Sequence, residues 1–162
     1  MKENCVLQTE RLKLREICEE DAEFIVSLRS DQEIYRFFLE PHRITLEEHL
    51  NWYHNRYLPD DNRYDWIGED AAGNAVGVFG AKRVSANEAE VSYILDRSCY
   101  GRGLAREAVE AVMAFCVRYW DTQEVIAVIH KDNKDSIRFA VKLGLHRSEE
   151  DGDFLVYRRT VK

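Results

Sequence analysis

Apolar residues recur along this chain with two periods, and the change from one to the other predicts its elements. Val6 to Arg15 alternates through Leu12 and Leu14 and reads as a first strand. From Glu19 to Leu28 the spacing becomes helical, with Ala22, Phe24, Ile25 and Leu28 inward. Thr45-Leu46-Glu47-Glu48 is a capping-box pattern, and the helix behind it places Leu46, Leu50, Tyr53 and Tyr57 on one face. Pro59 and Asp60-Asp61-Asn62 break the chain. Tyr64 to Glu69 and Ala75 to Ala81 read as a hairpin around the Asp70 to Asn74 turn, and Glu88 to Leu95 as a fourth strand. Leu104 to Tyr119 is the clearest helix, with Leu104, Ala108, Val112, Phe115 and Tyr119 on one stripe. Glu124 to Ile129 is a β-branched fifth strand. Asn133 to Leu143 is a helix ended by Gly144, and Phe154 to Val161 supplies a last strand. Early strands followed by alternating strands and helices predict an α+β domain, a mixed sheet flanked by helices.

Composition narrows the class. A chain of 162 residues with no Pro/Ser-rich linker, repeat or low-complexity tract reads as one domain, residues 1–162. No apolar run approaches the length of a membrane span, and the charged N-terminus does not read as a signal peptide. Cys5, Cys18, Cys99 and Cys116 are far apart and form no C-x-x-C pair, so they read as reduced, mostly buried thiols of a cytoplasmic protein. The net charge of −7 argues against nonspecific nucleic-acid binding and agrees with a cationic amine ligand. His42, His49, His54, His130 and His146 are scattered without metal-ligand spacing and read mostly as surface residues. No metal is expected. His130, at the end of the fifth strand, is placed to approach a site.

The chemistry concentrates between Ala89 and Ala105. A β-rich run carrying Glu90 enters a Gly101-Arg102-Gly103 loop, and an amphipathic helix follows at once. A glycine loop at a helix start offers unpaired backbone N–H groups and the positive end of the helix dipole, which suits a pyrophosphate. A Walker A loop would need G-K-[ST], which is missing, and a dinucleotide fingerprint would need a third glycine where Arg106 sits. The plainer alternative is a strand-to-helix turn needing positive φ at Gly101 and Gly103. Glu90 suits proton transfer at the ligand's reactive end. Glu88, near the Ala86-Asn87 turn, reads as the solvated acid, whereas Ser92 and Ile94 share the face of Glu90.

Three segments resemble one family. Tyr100-Gly101-Arg102-Gly103-Leu104-Ala105 is similar to the acyl-CoA loop, Q/R-x-x-G-x-G/A, of the GNAT superfamily of N-acetyltransferases. Asn133-Lys134-Asp135-Ser136 through Lys142-Leu143-Gly144-Leu145 resembles its N-x-x-S…K-L-G-F helix. Thr9-Glu10-Arg11-Leu12-Lys13-Leu14-Arg15, followed by Glu20-Asp21-Ala22, resembles the opening of the ribosomal-protein (Rim-type) alanine acetyltransferase branch. Tyr100 replaces the usual Gln or Arg, a departure that favours this branch.

The resemblance implies a single domain with a central, mostly antiparallel sheet flanked by helices. It implies acetyl-CoA as co-substrate, with Gly101, Arg102, Gly103, Leu104, Ala105 and Arg106 around the pyrophosphate and Asn133 as a further contact. Backbone N–H groups near Ile94 and Leu95 would hold the acetyl oxygen. Arg97, Arg102 and Arg106, with Lys142, would supply counter-charge or simply solvate a surface. Glu90 takes the place of the family's strand-borne base. Ala140 stands where many members carry a tyrosine acid, which leaves Ser136 to hydrogen-bond the sulfur or merely to bond within the first helical turn; Asn133 has helix capping as its own plainer role.

The segment from Ile34 to Pro41 lies where the family walls its acceptor pocket. Tyr35 and Phe38 would give an apolar wall and Glu40 an attraction for an ammonium. Glu47 to Tyr53 is similar, over a short stretch, to aminosugar-nucleotide acetyltransferases. Trp66 would stack on a sugar or, the reading preferred here, fill the core. The function expected is acetyl transfer to a primary amine by direct attack in a ternary complex. The partner is a protein N-terminus or a small amine such as an aminosugar or polyamine, with no nucleic acid or membrane, and a homodimer is left open. The rival is a CoA-binding sensor or partner-binding module that has lost catalysis.

Overall fold

The structure, a computed structural model, describes residues 4–162. Eight strands form one sheet in the order β1-β2-β3-β4-β5-β6-β8-β7. These are β1 (Val6–Gln8), β2 (Lys13–Glu16), β3 (Arg63–Glu69), β4 (Ala75–Arg83), β5 (Glu88–Leu95), β6 (Glu124–His130), β7 (His146–Asp151) and β8 (Phe154–Thr160). β5 and β6 pair in parallel; the other neighbours are antiparallel. The helices are α1 (Ala22–Arg29), α2 (Gln32–Tyr35), α3 (Leu46–Trp52), α4 (Leu104–Trp120) and α5 (Lys134–Lys142). This is the α+β architecture that the sequence predicts.

Period-two alternation gives the sheet two buried faces. Leu14, Trp66, Phe79, Ala81, Ala89 and Val91 point to one side and pack against Leu104, Ala108, Val112 and Phe115 of α4. Trp66 is wholly buried there, and its indole N–H donates to the Cys5 carbonyl at 3.1 Å, so it fills the core. Ile17 and Ile67 on the other side meet Ile25 of α1 and Tyr53 and Tyr57 beyond α3.

Five expectations need correction. The first strand is a hairpin, β1 and β2, because Thr9 turns the chain by accepting the Leu12 amide on its hydroxyl at 2.9 Å. The first helix begins at Ala22, after a 3-10 turn over Glu19–Asp21. After α3 the backbone widens into a π-helical turn, Tyr53–Tyr57; His49, Tyr53 and Tyr57 are its buried face, and Leu46 is exposed. Tyr119 is exposed, the α4 stripe ending at Phe115 and Cys116. β7 goes unpredicted because all six residues are exposed, leaving no alternation to read. Cys99 and Cys116 are buried, and Cys5 and Cys18 are half-buried.

Candidate functional site

The site forms where the sheet opens. β5 and β6 pair only through Glu88 with Glu124, Ala89 with Val125 and Glu90 with Ile126. Beyond Glu90 the two strands diverge, and the gap widens into a cleft of about 1790 Å³ that runs under α1 to α3 and beside α5. Glu90 therefore sits at the apex of the opening and lines it, with Ser92, Tyr93 and Ile94 further along. Burial raises the Glu90 carboxyl above the usual carboxylate range, and Lys82 and Arg63 pull it part of the way back.

The glycine loop lies at the cleft's mouth. Gly101 and Gly103 take φ of 77° and 74°, a conformation that disfavours a Cβ. Gly103 is the N-cap of α4 and offers no side-chain cap, so the first-turn N–H groups of Leu104, Ala105 and Arg106 have no helical carbonyl to donate to. Glu107 N–H donates to the Gly103 carbonyl at 3.2 Å. The Glu107 side chain reaches instead to the N-terminal hairpin. It accepts from the Thr9 hydroxyl, and from the Arg11 backbone and guanidinium at 2.8 Å each. Arg11 also donates to the Arg102 carbonyl at 2.7 Å, clamping the loop from outside. The opening motif Thr9-Glu10-Arg11 thus has a structural meaning that its sequence did not reveal.

Several expected contacts are relocated. Gly101 and Ala105 border the cleft, whereas the Arg102 and Arg106 side chains do not, and Arg106 pairs with Glu110 at 3.1 Å one turn on. Leu104 is buried in the core, so only its backbone N–H serves the loop. Arg97 lines the cleft but is held as a fork on Asp31, at 2.7 and 2.8 Å. Ile94 contributes its side chain and not its N–H. The β4–β5 ladder bonds even-numbered residues, as the Asp96 to Val76 and Val84 to Glu88 bonds show, so the Ile94 amide faces β4. By the same register the Tyr93 and Leu95 amides face the opening.

On the far wall, Asn133 caps α5 by accepting from the Ser136 N–H at 3.3 Å, and both residues line the cleft. The Ser136 hydroxyl lies 3.3 Å from the Tyr93 hydroxyl, which sequence reasoning missed; Tyr93 stands on β5 and its ring meets Phe139 at 4.5 Å. Burial raises the Tyr93 pKa. His130 borders the cleft between Phe37 and Phe154, its Nδ1 accepting the Asp132 N–H at 3.1 Å.

The wall on which an acceptor is expected differs most from the sequence reading. Glu40 is on the exposed rim. Tyr35 does not border the cleft, because the single turn of α2 directs Ile34 there instead and Phe37 and Phe38 follow. Phe38 lies under the Arg29 guanidinium at 5.2 Å. Arg29, His49, Arg63 and Asp65 also line the cleft, with His49 and Asp65 buried. None of the four is marked by its local sequence. His49 is four residues before Tyr53 and Arg29 four after Ile25, so each lies on a buried stripe; that spacing was the available signal.

The acetyltransferase (GNAT) domain profile matches residues 11–146. The chain belongs to this family. GNAT proteins are acetyltransferases that use acetyl-CoA as co-substrate, and the two positive-φ glycines, the uncapped start of α4 and the opening beside β5 fit that molecule. The uncharacterized protein YkkB of Bacillus subtilis is 31% identical over 152 residues, covering 88% of this chain and 86% of that protein. The uncharacterized protein MJ1062 of Methanocaldococcus jannaschii is 24% identical over 91% of this chain, which spans only 31% of that protein's length. Among solved structures, spermidine N-acetyltransferase from Vibrio cholerae, in complex with CoA and spermine, superposes with a TM-score of 0.78. It is 20% identical, over 91% of this chain and 92% of that one. RimL, a ribosomal L7/L12 alpha-N-protein acetyltransferase, gives 0.81 at 18% identity, over 97% and 98%. These two likenesses show the GNAT fold. Among the described residues no helix is long and apolar enough to cross a membrane.

Proposed function

We propose that this GNAT protein acetylates a primary amine, with Glu90 as the base. The observation that carries the reading is the place of Glu90, at the residue where β5–β6 pairing ends and the cleft begins. A primary ammonium is mostly protonated at neutral pH and cannot attack a thioester. Glu90 takes that proton, directly or through one water, and its raised pKa matches the task better than that of a solvated carboxylate would. Acetyl-CoA supplies the acetyl group as a thioester and leaves as the thiol. The Tyr93 and Leu95 amides aim at the developing oxygen charge. Tyr93 stays protonated at neutral pH and, with Ser136, holds a proton beside the place where the sulfur would lie, a role that Ala140 cannot fill.

Thiol release with a mixed amine library, followed by mass spectrometry of peptide, aminosugar-nucleotide and polyamine panels, tests this reading. The expected result is an N-acetylated product in at least one panel. Tight CoA binding without transfer to any amine would overturn it in favour of a CoA-binding sensor.

A further inference from the structure

The acceptor end of the cleft holds an arginine, Arg29, whose nearest opposite charge, Asp65, is already bridged by Arg63 and acts on it only at longer range. Arg63 bridges Asp65 at 3.2 Å, and its guanidinium lies 4.9 Å from the Trp52 ring centroid. Glu90 has Lys82 opposite it on β4 and Arg63 nearby. Arg29, reaching in from the last turn of α1, forms no ion pair among the described residues, and its buried Nε has no hydrogen-bond partner. His49 beside it is 1% exposed, and both of its ring nitrogens are buried and unpartnered. Orphaned buried polar atoms are rare, and these three belong to two neighbouring residues that both line the cleft. Gly80 makes room for the Asp65 and Ser92 side chains beside them, since a Cβ there would lie 2.5 Å from Asp65 Oδ1 and 2.9 Å from Ser92 Oγ.

These side chains favour a definite chemistry. The Arg29 guanidinium lies over the Phe38 ring at 5.2 Å, and a guanidinium's planar fork of N–H donors matches an oxyanion. His49 adds a ring N–H donor alongside. Burial and the Arg29 charge lower its pKa, so it stays neutral and can donate from one nitrogen and accept at the other. A polyamine would bring more positive charge to a cation already unpaired.

We propose that the amine acceptor also carries an anionic group, a carboxylate or a phosphate, bound by Arg29 and His49 while its amine faces Glu90. This rests on the amine-acetyltransferase reading and narrows its substrate class. Arg29, His49 and Glu90 line the same cleft, so one molecule carrying both an amine and an anion could meet all three.

Matched amines that differ only in the anion test this: an amino acid against its carboxamide, and a phosphorylated amine against its alcohol. Binding to the CoA-loaded protein is followed by calorimetry and turnover by thiol release. The anionic member of at least one pair should bind about tenfold tighter or better, and the pair that responds distinguishes carboxylate from phosphate. Arg29→Met should erase that advantage, with Arg29→Lys retaining part of it. Should Arg29→Met fail to fold, the wild-type comparison and His49→Gln still decide. Equal affinity within both pairs, or tighter binding of spermidine, overturns the proposal. Acetylation indifferent to the anion would sink the proposal and leave the acetyltransferase reading standing; binding of the anionic amine without turnover would do the reverse.

Discussion

Glu90 owes its position to its strand and its chemistry to burial, and the two effects pull stability and activity apart. A carboxyl whose folded pKa is raised binds its proton more tightly in the folded state than in the unfolded one. Below both pKa values it costs nothing. As pH rises from the unfolded pKa through the folded one, the native state loses stability. Glu90→Gln should therefore melt at a higher temperature than wild type at about pH 8, and this gain should vanish below about pH 4, where both states are protonated. Turnover should fall about a hundredfold at neutral pH with CoA affinity unchanged, and the acidic limb of the pH–rate profile should disappear. Melting curves and kcat/KM across pH check both halves; unchanged turnover would remove Glu90 from the reaction. Glu90 was legible in the sequence because it lies on the strand just before the glycine loop. Arg29, His49, Arg63 and Asp65 were not, because α1, α3 and β3 bring them together from distant parts of the chain, and a polar side chain on a buried face reads in sequence like one on a surface.

Loop and helix act together as an element through the Arg11–Glu107 clamp. Burial raises the Glu107 pKa, but hydrogen bonds from Thr9 and from the Arg11 backbone and side chain outweigh it, and the net shift is downward. A depressed carboxyl pKa stabilises the fold above the unfolded pKa, and that stability is lost as pH falls through the folded one. Glu107→Gln should lower the melting temperature at neutral pH by an amount equivalent to about 1 kcal/mol, with the difference closing in acid. CoA affinity, measured by calorimetry, should fall because the loop loses its outer support. Gly101→Ala is the complementary test. No atom lies within 4 Å of the added Cβ, so any loss of CoA binding reports the φ of 77° alone, at a cost of about 1 kcal/mol. Wild-type affinity in both variants would mean that the anion site tolerates a slack loop. At this scale most elements could be read from periodicity, since β5 spans the predicted Glu88 to Leu95 and α4 begins at the predicted Leu104. The sequence was silent on β7, which carries no apolar face, and on the β1–β2 turn, where Thr9 interrupts what reads as one alternating run.

Across the whole molecule, the opening between β5 and β6 works only if the sheet stays joined at its closed end, and that joint is three residue pairs long. Arg158 of β8 lies across it. Its guanidinium pairs with Glu88 of β5, with Glu124 of β6 at 2.9 Å and with Glu149 of β7 at 2.9 Å, tying four strands through one side chain. These carboxylates raise the Arg158 pKa, so it stays charged at any pH at which the protein is folded. Glu88, which reads in the sequence as merely solvated, is therefore part of the joint. Removing the guanidinium would leave three carboxylates close together around a short parallel pairing. Arg158→Met keeps the aliphatic bulk and should cost about 1–2 kcal/mol, since each bond is partly exposed but the three share one cation. High salt should shrink the difference, because these charges are open enough to be screened. Hydrogen exchange should speed up first at the β5–β6 amides and leave the β3–β4 ladder protected, whereas uniform acceleration would mean that Arg158 contributes only to global stability. If the joint also sets the position of Glu90, the variant should lose kcat at temperatures well below its melting point while retaining CoA affinity, because the glycine loop is anchored separately through Arg11 and Glu107.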